Sequence, residues 1–356
     1  MTIEFDKMQF QNDLISWFAA EKRDLPWRRT ADPYQIWISE IMLQQTRVDT
    51  VIPYYKRFVE KFPTVNDLAE ADEEILLKQW EGLGYYSRVR NLQAGVKEVA
   101  EKYNGVVPSS RKEISLLKGV GPYTAGAILS IAYGIPEHAV DGNVMRVLSR
   151  ILLIEEDIAK PKTRKTFEDA VTEIISHEDP SSFNQGLMEL GALICTPTSP
   201  KCLLCPVRDH CAAFDEGKQH QLPVKTKAKK NKALQYAMLA IQNGDKVLME
   251  KRPATGLLAN MWQFPMVELT GETVAAEIEE QLSENFNGSV SGAEKIISFK
   301  HVFSHLTWNV DGFIAKGENL IVPERMKWVT AEELEILPIS GPVQKMKTAL
   351  QQRGDG

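Results

Sequence analysis

The sequence predicts a multidomain protein, with an all-α N-terminal domain and a smaller α+β C-terminal domain, and three observations carry that division. Apolar residues recur at helical spacing through about residue 217, and no stretch there reads as a convincing strand. From about residue 233 the texture changes to β-rich runs around turn signals. Between the two, residues 218–232 hold six lysines and no acid, the composition of a basic linker. The expected divisions are therefore 1–217, 218–232 and 233–356, and 356 residues suffice for two cores.

The net charge is −6, from 42 basic and 48 acidic groups. Residues 1–217 carry 25 basic and 32 acidic groups, and 233–356 carry 11 and 16. Any contact with a polyanion must then come from local patches and backbone amides, and the lysines of 218–232 are one candidate. The same lysines equally suit a solvated linker. No apolar run approaches the roughly 18 residues of a membrane span, and the N-terminus lacks a signal-peptide pattern. A cytoplasmic protein is expected.

Taken in order, residues 8–20 show helical periodicity and residues 25–28 end that segment in a loop. Asp32 as cap and Pro33 in the first turn open a second helix. On it, Glu40 stands at helical spacing from Ile36, Trp37 and Leu43, on a stripe that should face inward. Burial disfavours the ionised form, so such a carboxyl can stay a proton donor near neutral pH. A helix-edge glutamate paired with an arginine would look the same. A short helix closes over residues 76–80, and Gly82, Leu83, Gly84, Tyr85 and Tyr86 form a glycine-hinged loop before a helix to about Tyr103. That loop suits entry into a base stack or the packing of a corner.

Ser110 and Glu113 have the spacing of a capping box, and Gly119-Val120-Gly121 then breaks the helix before Pro122 opens the next. This helix, hairpin and helix would present free backbone N–H groups to a phosphate, with no Cβ in the way at the glycines. An ordinary helix-turn-helix corner fits the same residues. Asp141 precedes a helix marked by Val144, Val147, Leu148 and Ile151, so it reads as an N-cap, which leaves a catalytic role open. Helices of about 161–176 and 184–195 follow.

All four cysteines, Cys195, Cys202, Cys205 and Cys211, fall in a Cys-x6-Cys-x2-Cys-x5-Cys pattern within 17 residues. Four thiols and no others, without a secretion signal, point to metal rather than disulfides. Zinc and a four-iron cluster both accept four thiolates. The loop also bears Lys201, Arg208 and His210, groups able to meet phosphate.

Past the linker, runs at 234–242 and 246–251 flank Asn243-Gly244, a hairpin signal. Residues 256–265 form an apolar loop, 274–286 read as helix, 300–308 lead into further strands, and a last helix lies near 342–351.

Taken together, Leu-Pro-Trp-Arg at 25–28, Ser-Glu-Ile-Met-Leu-Gln-Gln-Thr at 39–46, Gly-Leu-Gly-Tyr-Tyr at 82–86, Gly-Val-Gly-Pro-Tyr-Thr-Ala-Gly at 119–126, Val-Asp-Gly-Asn-Val at 140–144 and the cysteine loop resemble the MutY-type adenine DNA glycosylases. The resemblance covers nearly the whole chain. It implies a helix-hairpin-helix glycosylase core with an iron-sulfur loop holding one [4Fe-4S] cluster, a monomer, and removal of adenine mispaired with 8-oxoguanine or guanine in duplex DNA. On the matching positions, Glu40 is the general acid and Asp141 the second catalytic carboxylate, supported by Tyr123 and Asn143. Gln45 and Tyr85 intrude into the duplex, Thr46 and Leu83 lie near the oxidised guanine, and Gly119 and Gly121 meet the backbone. Phe303, Ser304 and His305 match a loop that touches the lesion.

The same cysteine loop also suits endonuclease III-type lyases, but these carry lysine where this chain has Tyr123, so a Schiff-base nucleophile is missing there. The C-terminal domain resembles the Nudix fold, yet residues 271–280 lack the Arg-Glu-x-x-Glu-Glu core that holds magnesium, so recognition rather than nucleotide hydrolysis is expected. Bifunctional glycosylase/lyase activity and non-enzymatic binding of damaged DNA are the competing functions.

Overall fold

The computed structural model describes residues 6–226, 231–269 and 275–354. Its helices are α1 (Lys7–Glu21), α2 (Pro33–Leu43), α3 (Val48–Lys61), α4 (Val65–Glu70), α5 (Glu73–Gln79), α6 (Ser87–Lys102), α7 (Arg111–Ile114), α8 (Pro122–Tyr133), α9 (Gly142–Ile151), α10 (Pro161–Ile174), α11 (Pro180–Leu193), α12 (Ala212–Asp215), α13 (Ala275–Phe286), α14 (Ala331–Ile336) and α15 (Gly341–Gly354). Its strands are β1 (Lys232–Asn243), β2 (Lys246–Lys251), β3 (Trp262–Gln263), β4 (Met266–Leu269), β5 (Ser289–Val302), β6 (Leu306–Glu318) and β7 (Met326–Val329). Two compact units result, Met1–Glu70 with Ser87–Lys227, and Ala71–Tyr86 with Ala228–Gly356.

In the helical unit, side-chain caps set several starts. Asp32 accepts from the Tyr34 N–H ahead of Pro33 at the start of α2, and Asp141 accepts from the Val144 N–H at the start of α9. Helix α11 begins at Pro180, four residues before the expected start, because Asp179 accepts from the Ser182 N–H. Ser110 accepts from the Glu113 N–H, while its own hydroxyl donates to the Glu113 carboxylate at 2.6 Å, so the expected box forms a variant pairing. One core gathers Phe10 and Leu14 of α1, Val144, Val147 and Leu148 of α9, Phe167 of α10 and Phe183 and Leu187 of α11. Cys195, Cys205 and Cys211 pack at its edge.

The other unit is built on a mixed sheet of order β3-β2-β1-β6-β5, with β4 pairing β1 and β7 pairing β2. Strands β1 and β6 run parallel, from Lys232 opposite Leu306 to Gln242 opposite Lys316. Both sheet faces are covered, which explains the unbroken apolar run of β1. Met238 and Ala240 face a core with Trp262, Trp308 and Met346, and Ala237, Leu239 and Ile241 face another with Ile278, Leu282 and Phe313. The hairpin at Asn243-Gly244 forms as its residues require, with Gly244 at φ 62°.

Two boundaries differ from the sequence expectation. Residues 71–86, which lie between helices of the first unit in sequence, pack with the sheet. Glu73 accepts from Asn260 at 2.9 Å, Glu74 from Trp262 at 3.0 Å, and Glu81 from Gln344 at 2.8 Å. Those partners lie more than 180 residues away, beyond any local signal. The first half of the expected linker belongs to the helical unit. Leu222 is buried, and the Val224 carbonyl accepts from Ile158 N–H at 3.0 Å. Lys218 is paired with Glu155 and Glu216, so it contributes little to a free basic patch. Residues 227–230 and the 271–274 part of the degenerate Nudix segment lie outside the described residues. No helix among the described residues is long and apolar enough to cross a membrane.

Candidate active site

Helices α2, α8, α9 and α11 enclose a cavity of about 880 Å³ lined by Glu40, Tyr123, Asp141, Asn143, Gln45, Thr46, Gly119 and Gly121. The catalytic candidates and four of the nucleic-acid candidates thus share one hollow. Glu40 lies on the inward face of α2 and is 5% exposed. Tyr123, in the first turn of α8, donates its hydroxyl to Glu40 Oε2 at 2.6 Å. Burial pushes the Glu40 carboxyl up to about 7, with the Tyr123 hydrogen bond opposing, Asp141 adding repulsion and Arg28 opposing again. Burial also holds the Tyr123 phenol well above its ordinary range.

Asp141 combines capping with a place in the cavity. Its Oδ1 accepts from Val144 N–H at 2.7 Å and its Oδ2 from Asn143 Nδ2 at 2.9 Å. Burial raises its carboxyl above the ordinary value, against these hydrogen bonds and the nearby Arg146. Val144 N–H and Asn143 Nδ2 both donate to Asp141, whereas Tyr123 alone among these groups donates to Glu40, so the ionised form is better supported at Asp141 than at Glu40. Asn143 is held in turn, because its Oδ1 accepts from Arg146 at 3.0 Å while Arg146 Nε donates to the Cys195 carbonyl at 2.9 Å. A chain of hydrogen bonds thus joins Asp141 to the cysteine loop.

Sequence reading missed Arg28, Arg146 and Glu189. Glu189 on α11 is buried and receives both Arg23 and Arg28, at 2.8 and 2.9 Å. The two guanidinium groups overcome burial and draw its carboxyl down to about 2. This fixed ion pair gives the cavity a polar wall that does not titrate near neutral pH. The motif Leu-Pro-Trp-Arg marks Arg28, but nothing local marks its partner. Arg88 was missed as well; its guanidinium donates to the carbonyls of Ile41, Met42 and Gln44 and to Thr46 Oγ1, clamping the turn that carries Gln45.

That turn is strained, since Gln45 is exposed at φ 56°, a left-handed conformation that a non-glycine residue adopts at a cost. Gly119 is left-handed too, at φ 79°, as expected of the hairpin, whereas Gly121 is at φ −87°. Leu83, Tyr85, Phe303, Ser304 and His305 do not line the cavity; they belong to the sheet unit. Leu83 is buried there, so its expected place beside an oxidised guanine is not an exposed one. Tyr85 is exposed, at φ 49°, and accepts a hydrogen bond from Ser304.

The four cysteines are free of disulfides and line one small cavity of about 30 Å³. Four thiols around one hollow are the donor set that a thiolate-held cluster requires. Arg150 supports the same conclusion. It is buried and donates to Cys195 Sγ at 3.2 Å and to the carbonyls of Leu222, Thr196 and Pro197. A buried guanidinium bonded to neutral carbonyls needs a negative partner, which a thiolate-held cluster supplies. His210 turns inward to Asp13 at 2.9 Å and is not available to phosphate as expected.

Residues 38–173 match the family of HhH-GPD superfamily base excision DNA repair proteins, 195–211 the iron-sulfur binding domain of endonuclease III, and 236–349 the NUDIX domain. The adenine DNA glycosylase of Homo sapiens is 34% identical over 95% of this chain and 73% of its own length. That of Buchnera aphidicola subsp. Acyrthosiphon pisum is 30% identical over 96% of this chain and 97% of its own. Among solved structures, a thermostable thymine-DNA glycosylase superposes with a TM-score of 0.53 at 29% identity, over 59% of this chain and 97% of that one. A trapped endonuclease III–DNA covalent intermediate gives 0.50 at 27% identity, over 60% and 99%. Similarity of this extent along both units places the chain in the adenine DNA glycosylase family, as a base-excision repair glycosylase that carries a [4Fe-4S] cluster.

Proposed function

We propose that this enzyme is a monofunctional glycosylase that hydrolyses the N-glycosidic bond of adenine opposite 8-oxoguanine or guanine in duplex DNA. The observation that carries the reading is a Glu40 carboxyl raised to about 7 in a cavity shared with Asp141. Adenine leaves poorly until a ring nitrogen is protonated, and a carboxyl with a pKa near ambient pH is suited to supply that proton. The adenine first leaves the stack, at a few kcal/mol that a mispair lowers. Glu40 then delivers its proton as the C–N bond breaks, and adenine departs neutral. Ionised Asp141 stabilises the oxocarbenium-like sugar or adds transiently to its anomeric carbon, as in retaining glycoside hydrolysis. Water completes the sugar hydroxyl and returns a proton to the carboxyl pair.

Tyr123 offers no amine for a Schiff base, which supports hydrolysis without strand cleavage. The hairpin at Gly119 and Gly121 would hold the DNA backbone, Gln45 and Tyr85 would enter the duplex, Thr46 would lie near the oxidised guanine, and Phe303, Ser304 and His305 would read the base opposite adenine. Cys195, Cys202, Cys205 and Cys211 would hold the cluster, which ties the loop carrying the Arg146 and Arg150 contacts. The reading implies a monomer acting in a DNA-containing compartment, the cytoplasm in a cell without a nucleus. Glu40→Gln keeps shape and removes the proton, so it should bind the mispair while adenine release falls at least about a hundredfold. Release within about tenfold of wild type would remove Glu40 from the role of acid.

A further inference from the structure

We propose that Met188 is an oxidation site that switches the catalytic cavity off: a hydroperoxide converts its thioether to a sulfoxide, whose oxygen draws the Tyr123 hydroxyl away from Glu40. The proposal rests on the reading of Glu40 as the acid that releases adenine from this cavity.

Met188 lies on α11 beside Glu189, and the two arginines paired with Glu189 hold that turn in place. On one side it packs against the core of the helical unit, and on the other it lines the cavity of about 880 Å³. It is half-buried, and among the described residues no other methionine lines that cavity. Its Sδ stands 3.5 Å from Tyr123 Oη, whose other partner is Glu40 Oε2 at 2.6 Å. The phenol has one proton to offer the two, and burial keeps that proton on the phenol. A thioether is the weak acceptor of the pair, so the bond to Glu40 prevails.

Oxidation reverses that order. The sulfur lone pair attacks one oxygen of the hydroperoxide, and the S–O bond forms as the O–O bond breaks. Sulfur loses two electrons, the peroxide gains them, and its other oxygen leaves with the proton as water or an alcohol. The product is a polar sulfoxide. Its oxygen is carried by the sulfur that already touches Tyr123 Oη, and it accepts far more strongly than the thioether did. Once the phenol turns to it, the carboxylate that Glu40 becomes on giving up its proton has lost its donor, so delivering the proton costs more. A cavity of this size admits a hydroperoxide, and an adenine inside it would shut the oxidant out.

The test treats the full chain, with its cluster, with hydrogen peroxide and follows each methionine by peptide mass spectrometry. Met8, which is 71% exposed and does not line the cavity, is the internal control. In DNA-free protein Met188 should gain one oxygen. A duplex with non-cleavable 2′-fluoro adenosine opposite 8-oxoguanine should protect Met188 and not Met8. Adenine release should fall at least about tenfold as Met188 is oxidised, a part of what general acid catalysis supplies. Methionine sulfoxide reductases of both stereospecificities should restore it. Met188→Leu keeps apolar bulk without the thioether, so after peroxide it should retain its own untreated rate, which also discounts damage to the cluster. Met188→Gln sets an amide oxygen at this place and should be slow without peroxide. If the duplex leaves Met188 unprotected, adenine does not enter this cavity, and the reading fails with the proposal. If the duplex protects Met188 while the oxidised protein releases adenine at the untreated rate, the reading stands and the proposal falls. Equal losses in wild type and Met188→Leu, or an intact Met188 where Met8 is fully oxidised, would overturn it as well.

Discussion

In the unfolded chain Glu40 titrates near 4.5, and in its pocket at about 7. Between those values the folded state binds more protons than the unfolded one, so stability falls as pH rises through that window and stays reduced above it. At 1.36 kcal/mol per unit, the cost above pH 7 is about 3 kcal/mol. Glu40→Gln removes it. The variant should therefore melt at a higher temperature than wild type at pH 8, and the gap should shrink toward pH 5. A melting difference that is the same at both pH values would show that the carboxyl is not shifted. Adenine release should fall about tenfold per unit above pH 7, as the acid form is lost. Glu40 was legible in the sequence because a carboxylate on an apolar helical stripe is conspicuous, and Asp141 because caps have a local signature. Arg28, Arg146 and Glu189 were not, because their meaning lies in partners brought together by folding.

In the hairpin, two roles that the sequence analysis assigned to the glycines jointly come apart. A Cβ at Gly119 would stand 2.9 Å from Asn91 Cβ at a φ of 79°, so this glycine is required by the fold. Gly119→Ala should cost about 1–2 kcal/mol or more. At Gly121 a Cβ would meet no protein atom within 4 Å, and the backbone is ordinary. Gly121→Ala should leave the melting temperature nearly unchanged yet weaken DNA binding, because the methyl would stand where a phosphate approaches. Normal DNA affinity in that variant would remove Gly121 from the contact. Most helices and the β1–β2 hairpin were legible from periodicity, caps and Asn-Gly. Strand β5 was read only from residue 300, although it begins at Ser289, because its shifts in pairing after Ser291 and Lys295 interrupt the alternation that marks a strand.

For the whole molecule, the division of the chain matters most. Because α5 and the Tyr85 loop belong to the sheet unit, ending the chain at Thr226 would remove the partners of Glu73, Glu74 and Glu81 along with the C-terminal sheet. Amide exchange at residues 73–86 should accelerate strongly in such a truncation; unchanged protection would mean that this segment is supported by the helical unit alone. Change in texture at about residue 233 revealed two domains, but no composition shift marks an insertion that joins the other unit through side chains. The proposed chemistry is an acid-assisted excision of adenine that depends on the base opposite. Its most direct test is single-turnover release of free adenine from duplexes that differ only in that base. Fastest release opposite 8-oxoguanine, slower release opposite guanine and little opposite thymine is the predicted result, and no free adenine from any duplex, or equal rates from all, would contradict it.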